Sequence, residues 1–562
     1  YLKNDNTELF FTLGTFDDLH FDEIQNYIPI YNKFFALNEN NYNSINLNHK
    51  FSVKKIISCE TQNKCDAIIF DNNGKLYEKK VFFKLSPLLD PIKYLVGKYD
   101  ISDTCLFNLP KYTETVVNEK INDPNNSAYV DSFATYLTSQ LLHKHGFVHG
   151  LDFYGSFLAI KNNFHINLNE DIEYLYDSTF FQKHQGTLYT IDNLYHEEFM
   201  NYNSRNMKKR LTVDQDTISP SILKLSDISD LSELDDILEN ETSQTINPLQ
   251  CISVESVNNN KSAKSVVKDY SSSSCSSRSS NTINDNADSE SESESEQTSE
   301  CSTATEDAIS ATIPKFPVQA IALERCENTF DYLLSQNSLS DRELSSAIIQ
   351  ILMILITLQK SFSLTHNDLH TNNIMWIQTD KKFLFYKINK IYYKVPTFGK
   401  IYKLIDFGRA IYKFKGKQIC SDSFHQKGDA ATQYNIEPYM NQKKPRLDPN
   451  FSFDLCRLGC SIYDFIVEDI SNEMKDLSEI EKIIVKWCHD DKDRNVMYKT
   501  NGQERYPEFK LYKMIARTCH KHMPLNVLND IHFSKYIVNK KQAHKNNRDN
   551  IMDIDSYPIY TD

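Results

Sequence analysis

Asp368 and Asn373 lie five residues apart in the run L-T-H-N-D-L-H-T-N-N-I-M-W at 364–376, and Asp406 sits in Y-K-L-I-D-F-G-R-A at 402–410. An aspartate and an asparagine so spaced on one loop can face a hydroxyl nucleophile and a divalent cation together. A second aspartate after an apolar strand, here Lys403 to Ile405, completes a cradle for that cation. Phosphoryl transfer needs such a set, because it asks a protein for little covalent chemistry: one carboxylate to orient the attacking hydroxyl, and an Asn and an Asp to hold Mg²⁺ on the phosphates. Either stretch alone is a modest signal; both in this order are a strong one.

These groups need elements to hold them. Ser340-Asp341-Arg342-Glu343 reads as a capping box opening an apolar helix that delivers His366. Residues 127–145 have helical spacing (Val130, Phe133, Ala134, Leu137, Leu141). Upstream, Val53–Ser58, Ala67–Asp71 and Lys80–Leu85 read as strands, with Asn72-Asn73-Gly74 as a turn. Gly150–Ile160 is a further strand. Its successor, Val318–Leu323, comes only after roughly 155 residues, far beyond an ordinary loop. Phe383–Tyr393 is β-rich and reads as a hairpin inserted between the two motifs. Residues 1–50, Asn-rich with apolar islands, read as a short helical extension. Residues 536–562 read as a loose polar tail.

The 562 residues are 40% apolar, ample for a large core, and the net charge of −14 argues against a general nucleic-acid binder. The charge is concentrated: residues 201–310 hold 20 acids against 9 bases. Within them, Ser289–Glu296 alternates Ser and Glu, a composition that cannot bury enough apolar surface to order itself. About residues 200–312 are therefore expected to be disordered. Leu225–Leu238 carries leucines at helical spacing, which suits a transient helix or self-packed flap, or a partner-docking helix. The apolar run Ala347–Leu358 is too short to span a bilayer, so no membrane partner is expected. Twelve cysteines without a disulfide framework suggest reduced thiols in a cytosolic compartment. Cys488-His489 with Cys519-His520 and His522 could form a zinc site, but the spacing lacks the C-x-x-C clip and reads rather as ordinary helix residues.

The two motifs together resemble the protein kinase superfamily. The wording is closest to serine/threonine kinases of large nucleocytoplasmic DNA viruses, through the phrases at 82–91 (F-F-K-L-S-P-L-L-D-P), 149–157 (H-G-L-D-F-Y-G-S-F), 395–412 and 452–461 (S-F-D-L-C-R-L-G-C-S). The resemblance implies an α+β, bilobal fold with a β-rich small lobe, a helical large lobe and a long disordered insert in the small lobe. The corresponding divisions are an N-terminal extension (1–50), the small lobe (51–199), the insert (200–312), a strand and hinge (313–330), the large lobe (331–535) and the tail (536–562). It implies ATP and Mg²⁺ as cofactors and a protein substrate. Asp368 would orient the substrate hydroxyl, and Asn373 and Asp406 would bind the metal. Lys84, in V-F-F-K, would grip phosphates with an acid of the next helix as its partner; Asp131 is the acid there, with Glu119 as the alternative. Leu323 would guard the back pocket, with backbone groups of Glu324 and Cys326 at the adenine edge. Asp454, in D-x-x-x-x-G, would hold the catalytic-loop backbone.

Departures from that family are visible too. The loop Ser58–Lys64, where phosphate-covering glycines belong, has none. Asn367 replaces an Arg, so no cation waits there for an activation-segment phosphate. His370 replaces a Lys, exchanging a fixed cation for a group whose charge depends on pH. Three functions follow: a Ser/Thr protein kinase, a small-molecule hydroxyl phosphotransferase (suggested by D-L-H), or a pseudokinase scaffold. A viral origin would place the protein in host cytoplasm, virus factory or virion.

Overall fold

The computed structural model describes residues 2–3, 6–16, 19–112, 117–169, 171–191, 309–545 and 551–562. The Leu225–Leu238 segment, the Ser/Glu run and nearly all of the expected insert lie outside the described residues. What is described is mixed α+β, with a sheet-rich N-terminal part and helices beyond it.

Six strands make the main sheet: β1 (Phe21–Gln25), β2 (Phe51–Cys59), β3 (Lys64–Asp71), β4 (Leu76–Pro87), β5 (Phe153–Asn167) and β6 (Ser310–Glu324). Their spatial order is β1-β5-β6-β4-β3-β2, every pair antiparallel, with Thr190–Ile191 added beside β6. The pleat explains β3 and β4. Cys65, Ala67 and Ile69 point inward on β3, as do Val81, Phe83 and Leu85 on β4. Lys80, Phe82 and Lys84 therefore share the opposite face. The Asn72-Asn73-Gly74 turn forms as read: Asp71 Oδ1 accepts from the Asn73 and Lys75 N–H groups, and Gly74 takes φ +77°.

Three sequence expectations need correction. The N-terminal extension contains a helix, α1 (Thr7–Thr15), but also β1, an edge strand of the sheet. Its run F-D-E-I-Q buries only its two ends, too little alternation to read as a strand; pairing with β5 and packing of Phe21 on Phe157 hold it. β6 begins at Ser310, so residues 310–312 belong to the sheet and not to the insert. Pro314 and Pro317 masked it by reading as breakers. The C-terminal tail is not loose. Ile551–Asp553 pairs in parallel with the inserted hairpin, Met552, Ile554 and Tyr557 are buried, and the Tyr560 ring stacks on Phe362 at 5.4 Å. Apolar residues scattered among acids found a sheet edge that no local pattern announces.

The helices follow their sequence signals. α2 spans Ser127–His145, opened by the Asn126 side chain on the Ala128 N–H and closed by Gly146 at φ +69°. α3 (Asp341–Phe362) starts on the Ser340/Glu343 capping box. It is the one helix among the described residues long and apolar enough to cross a membrane, and 89% of its apolar window is buried, as in a core helix. After it come β7 (Ile374–Gln378), the hairpin β8 (Phe383–Ile388) and β9 (Ile391–Pro396), and β10 (Lys400–Leu404), which pairs with β7. Then α4 (Phe453–Ile466), α5 (Glu479–Trp487) and α6 (Lys510–Thr518) pack around a second core.

Candidate functional site

The loop after α3 and the loop after β10 are tied together by backbone. The Ile405 N–H donates to Asn373 O (3.0 Å), and His366 Nε2 donates to Ile405 O (2.9 Å). Beneath them, fully buried Asp454 at the start of α4 accepts from the N–H groups of His366 (2.9 Å) and Asn367 (2.8 Å). This is the structural role expected of it. Asn367 takes φ +64°, with its amide on the carbonyls of Thr365 and Arg409 and its Oδ1 accepting from Tyr434. Asp406 also sits at φ +64°. Non-glycine residues held there store backbone strain that the surrounding hydrogen bonds must offset.

Asp406 points at Lys84. The Lys84 ammonium lies 2.9 Å from Asp406 Oδ1 and 2.7 Å from Asp131 Oδ2. Asp131 Oδ1 in turn accepts from the Phe407 N–H at 2.7 Å. Three distant stretches thus meet at one largely buried ion cluster: mid-β4, the second turn of α2, and the turn after β10. Burial works against the Lys84 charge, but the two carboxylates outweigh it and hold the ammonium above its ordinary range. Burial, with Asp406 nearby, pushes the Asp131 carboxyl up, against the pull of Lys84. Glu119 makes no contact with Lys84 in this cluster; it opens a separate short helix, Glu119–Asn122.

Asp368 is 2% exposed. Its Oδ1 accepts from the Tyr512 hydroxyl at 2.8 Å, and the Arg409 guanidinium stands 3.7 Å away. Tyr512 also accepts from Arg457 Nε (2.9 Å), and Arg409 is anchored by Asp429 (2.6 Å). The Asn373 amide donates to Asp368 O (2.9 Å) and to His370 Nε2 (3.1 Å). Burial lowers the His370 pKa to about 4, so this imidazole is neutral at pH 7. Tyr512 was not legible in the sequence. It belongs to no motif, and only folding brings α6 against the Asp368 loop. Arg409, directly after D-F-G, was a signal within reach.

Glu324 and Cys326 lie at the end of β6. Opposite Lys84 on that strand is Ile321, so Glu324 lies about 10 Å further along, and Cys326 two residues beyond the strand's end. Glu324 is engaged with its neighbours: its carboxylate accepts from the Asp152 N–H (2.7 Å) and the Lys403 ammonium, and its own N–H donates to Asp152 O. Cys326, whose thiol pKa burial raises, makes no backbone–backbone hydrogen bond among the described residues. The glycine-free turn between β2 and β3 is short and fastened. Asn63 exchanges hydrogen bonds with the Phe83 backbone (both 2.7 Å), and Glu60 pairs with Arg325 just past β6 (2.7 Å). Phe82, half-buried, shares the Lys84 face.

Among the described residues no group of three or more His, Cys, Asp or Glu side chains is arranged to hold a metal. His489 pairs with Glu473, His520 with Asp491, and His522 reaches the His489 carbonyl, while Cys488 and Cys519 are in the second core. The Ile405 N–H to Asn373 O hydrogen bond sets the Asn373 and Asp406 loops side by side, and an amide and a carboxylate are oxygen donors of the kind Mg²⁺ takes alongside phosphates. No protein-family model matches the chain, and no curated protein matches it significantly.

Proposed function

We propose that the protein is an ATP- and Mg²⁺-dependent protein kinase, with a bilobal kinase-like fold, that phosphorylates Ser or Thr of protein substrates. The carrying observation is the Lys84–Asp131–Asp406 cluster. One ammonium facing two carboxylates leaves a surplus negative charge on the turn that begins with Asp406, which favours a cation there. Mg²⁺, held by Asn373 and Asp406, would neutralise charge on the phosphates. Lys84 would meet the same phosphates, kept in place by Asp131. Asp368 would orient the acceptor hydroxyl through its carboxylate, itself fixed by Tyr512. Neutral His370 adds no fixed cation, so charge stabilisation falls to Lys84 and the metal. Cytoplasmic, virus-factory or virion placement rests on the viral resemblance alone.

A second reading, a non-catalytic scaffold, has its own support: Asp368 is buried against Tyr512 and Arg409, and the glycine-free turn is fastened to Phe83 and Arg325. An Mg·ATP thermal-shift assay followed by radiolabel transfer to protein acceptors separates the two. Under the kinase reading Mg·ATP raises Tm, label transfers, and Asp406→Asn cuts transfer by at least ~100-fold, the scale of losing one preorganised group at developing charge. Binding without transfer supports the scaffold; transfer to small alcohols alone supports a small-molecule phosphotransferase.

A further inference from the structure

Cys59 and Cys65 close the β2–β3 hairpin as directly opposed residues, with their sulfurs 2.8 Å apart. The Glu60 N–H donates to Lys64 O (2.8 Å) while the Lys64 N–H turns to Thr61 O (3.3 Å), so the last rung of the ladder is at 60 and 64. The next pair along the ladder, 59 and 65, is of the non-hydrogen-bonded kind, whose Cα atoms approach to about 4.5 Å. That separation lies inside the range of roughly 4.4–6.8 Å that a disulfide spans. The two thiols differ in access: Cys59 is partly exposed and Cys65 is 1% exposed. One can be reached by an oxidant, and the other waits beside it as a resolving thiol.

We propose that Cys59 and Cys65 form a reversible thiol–disulfide modification site that locks the turn Glu60–Lys64. The oxidant is a low-molecular-weight disulfide such as oxidised glutathione. The Cys59 thiol gives its proton to solvent and its thiolate attacks one glutathione sulfur, expelling a glutathione thiolate. The Cys65 thiolate, its proton likewise lost, then attacks the Cys59 sulfur and expels the second glutathione. Two protein thiols lose two electrons and one disulfide becomes two thiols, so the exchange balances. A bond across adjacent strands is constrained, and strained disulfides are the readily reduced, regulatory ones. The site matters because of what the turn touches: Asn63 holds the Phe83 backbone next to Lys84, and Glu60 holds Arg325 beyond β6. Under the kinase reading above, on which this clause alone rests, a locked turn restricts nucleotide entry.

The test incubates the full chain in glutathione buffers of graded oxidation and maps disulfides by non-reducing peptide mass spectrometry, with hydrogen exchange on residues 58–66. The expected result is a Cys59–Cys65 link forming before any other, cleared by dithiothreitol, with hairpin exchange slowed at least tenfold in wild type and unchanged in Cys59→Ser. Cys59 and Cys65 staying reduced or as mixed disulfides while other cysteines pair would overturn the site. A link without slowed exchange would overturn the lock. An Mg·ATP thermal shift smaller in oxidised protein supports restricted nucleotide entry, and an equal one overturns it. A shift missing from both forms counts against the kinase reading, while the mapping still decides the modification site.

Discussion

Asp131 carries two obligations with one carboxylate: Lys84 on one oxygen, the Phe407 N–H on the other. Asp131→Asn keeps the shape and removes the charge, leaving Lys84 with Asp406 alone. Breaking a buried pair costs about 3–5 kcal/mol, so urea denaturation should show a loss near the lower end of that range; under the proposed function, phosphotransfer should fall with it. Tyr512→Phe removes the donor to Asp368 and the acceptor of Arg457. A buried hydrogen bond lost this way costs about 1–3 kcal/mol. If Tyr512 orients Asp368, kcat should fall about tenfold with KM unchanged; a rise in kcat would identify it as a plug. Residues at this scale divide by how they announce themselves. Asp368, Asn373, Asp406 and Asp454 stand in motifs visible in the sequence itself, and Lys84 and Asp131 followed from them by resemblance. Tyr512 and the Glu60–Arg325 pair are products of folding alone, because each joins segments whose proximity no local pattern encodes.

Elements were legible where their own residues decide them. α2 takes the expected bounds because Asn126 and Gly146 are local stop signs, and α3 starts where Ser340 and Glu343 cap each other. Ser340→Ala should therefore cost about 1 kcal/mol by chemical denaturation. Elements decided by partners, such as β1, the start of β6 and the C-terminal strand, were not. His149 shows what joins elements: Nδ1–H donates to Tyr402 O on β10, and Nε2 accepts from the Tyr386 hydroxyl on β8, both at 2.7 Å. Burial lowers its pKa to about 3. The folded chain needs the neutral ring while the unfolded chain takes a proton below its ordinary value of about 6.5. Stability is thus whole above that value and is lost as pH falls from about 6.5 toward 3, by up to about 1.4 kcal/mol per pH unit from this group. Melting temperatures across pH 7 to 4 should decline more steeply in wild type than in His149→Gln.

At the scale of the molecule, the C-terminus is a strap. Lys360 at the end of α3 donates to the carbonyls of Ile554 and Asp555, and Asp555 accepts from the N–H groups of Asn389 and Lys390 at the β8–β9 turn. Removing residues 551–562 should lower Tm, by about 1 °C for each kcal/mol lost, since the 2–4 °C shift seen in chains of a couple of hundred residues shrinks as the unfolding entropy grows with size; an unchanged Tm would show the strap to be idle. The same ladder logic reaches the long excursion between β5 and β6. Asn167 is opposite Ser310, and Ile191 opposite Ala311, so the polypeptide departs and comes back through a single doorway. Holding these two ends together across an intervening span of over a hundred residues costs about 3 kcal/mol more closure entropy than a tight turn. Because the sheet itself fixes both ends of the opening, a laboratory can use it as a place to graft a foreign domain onto the protein.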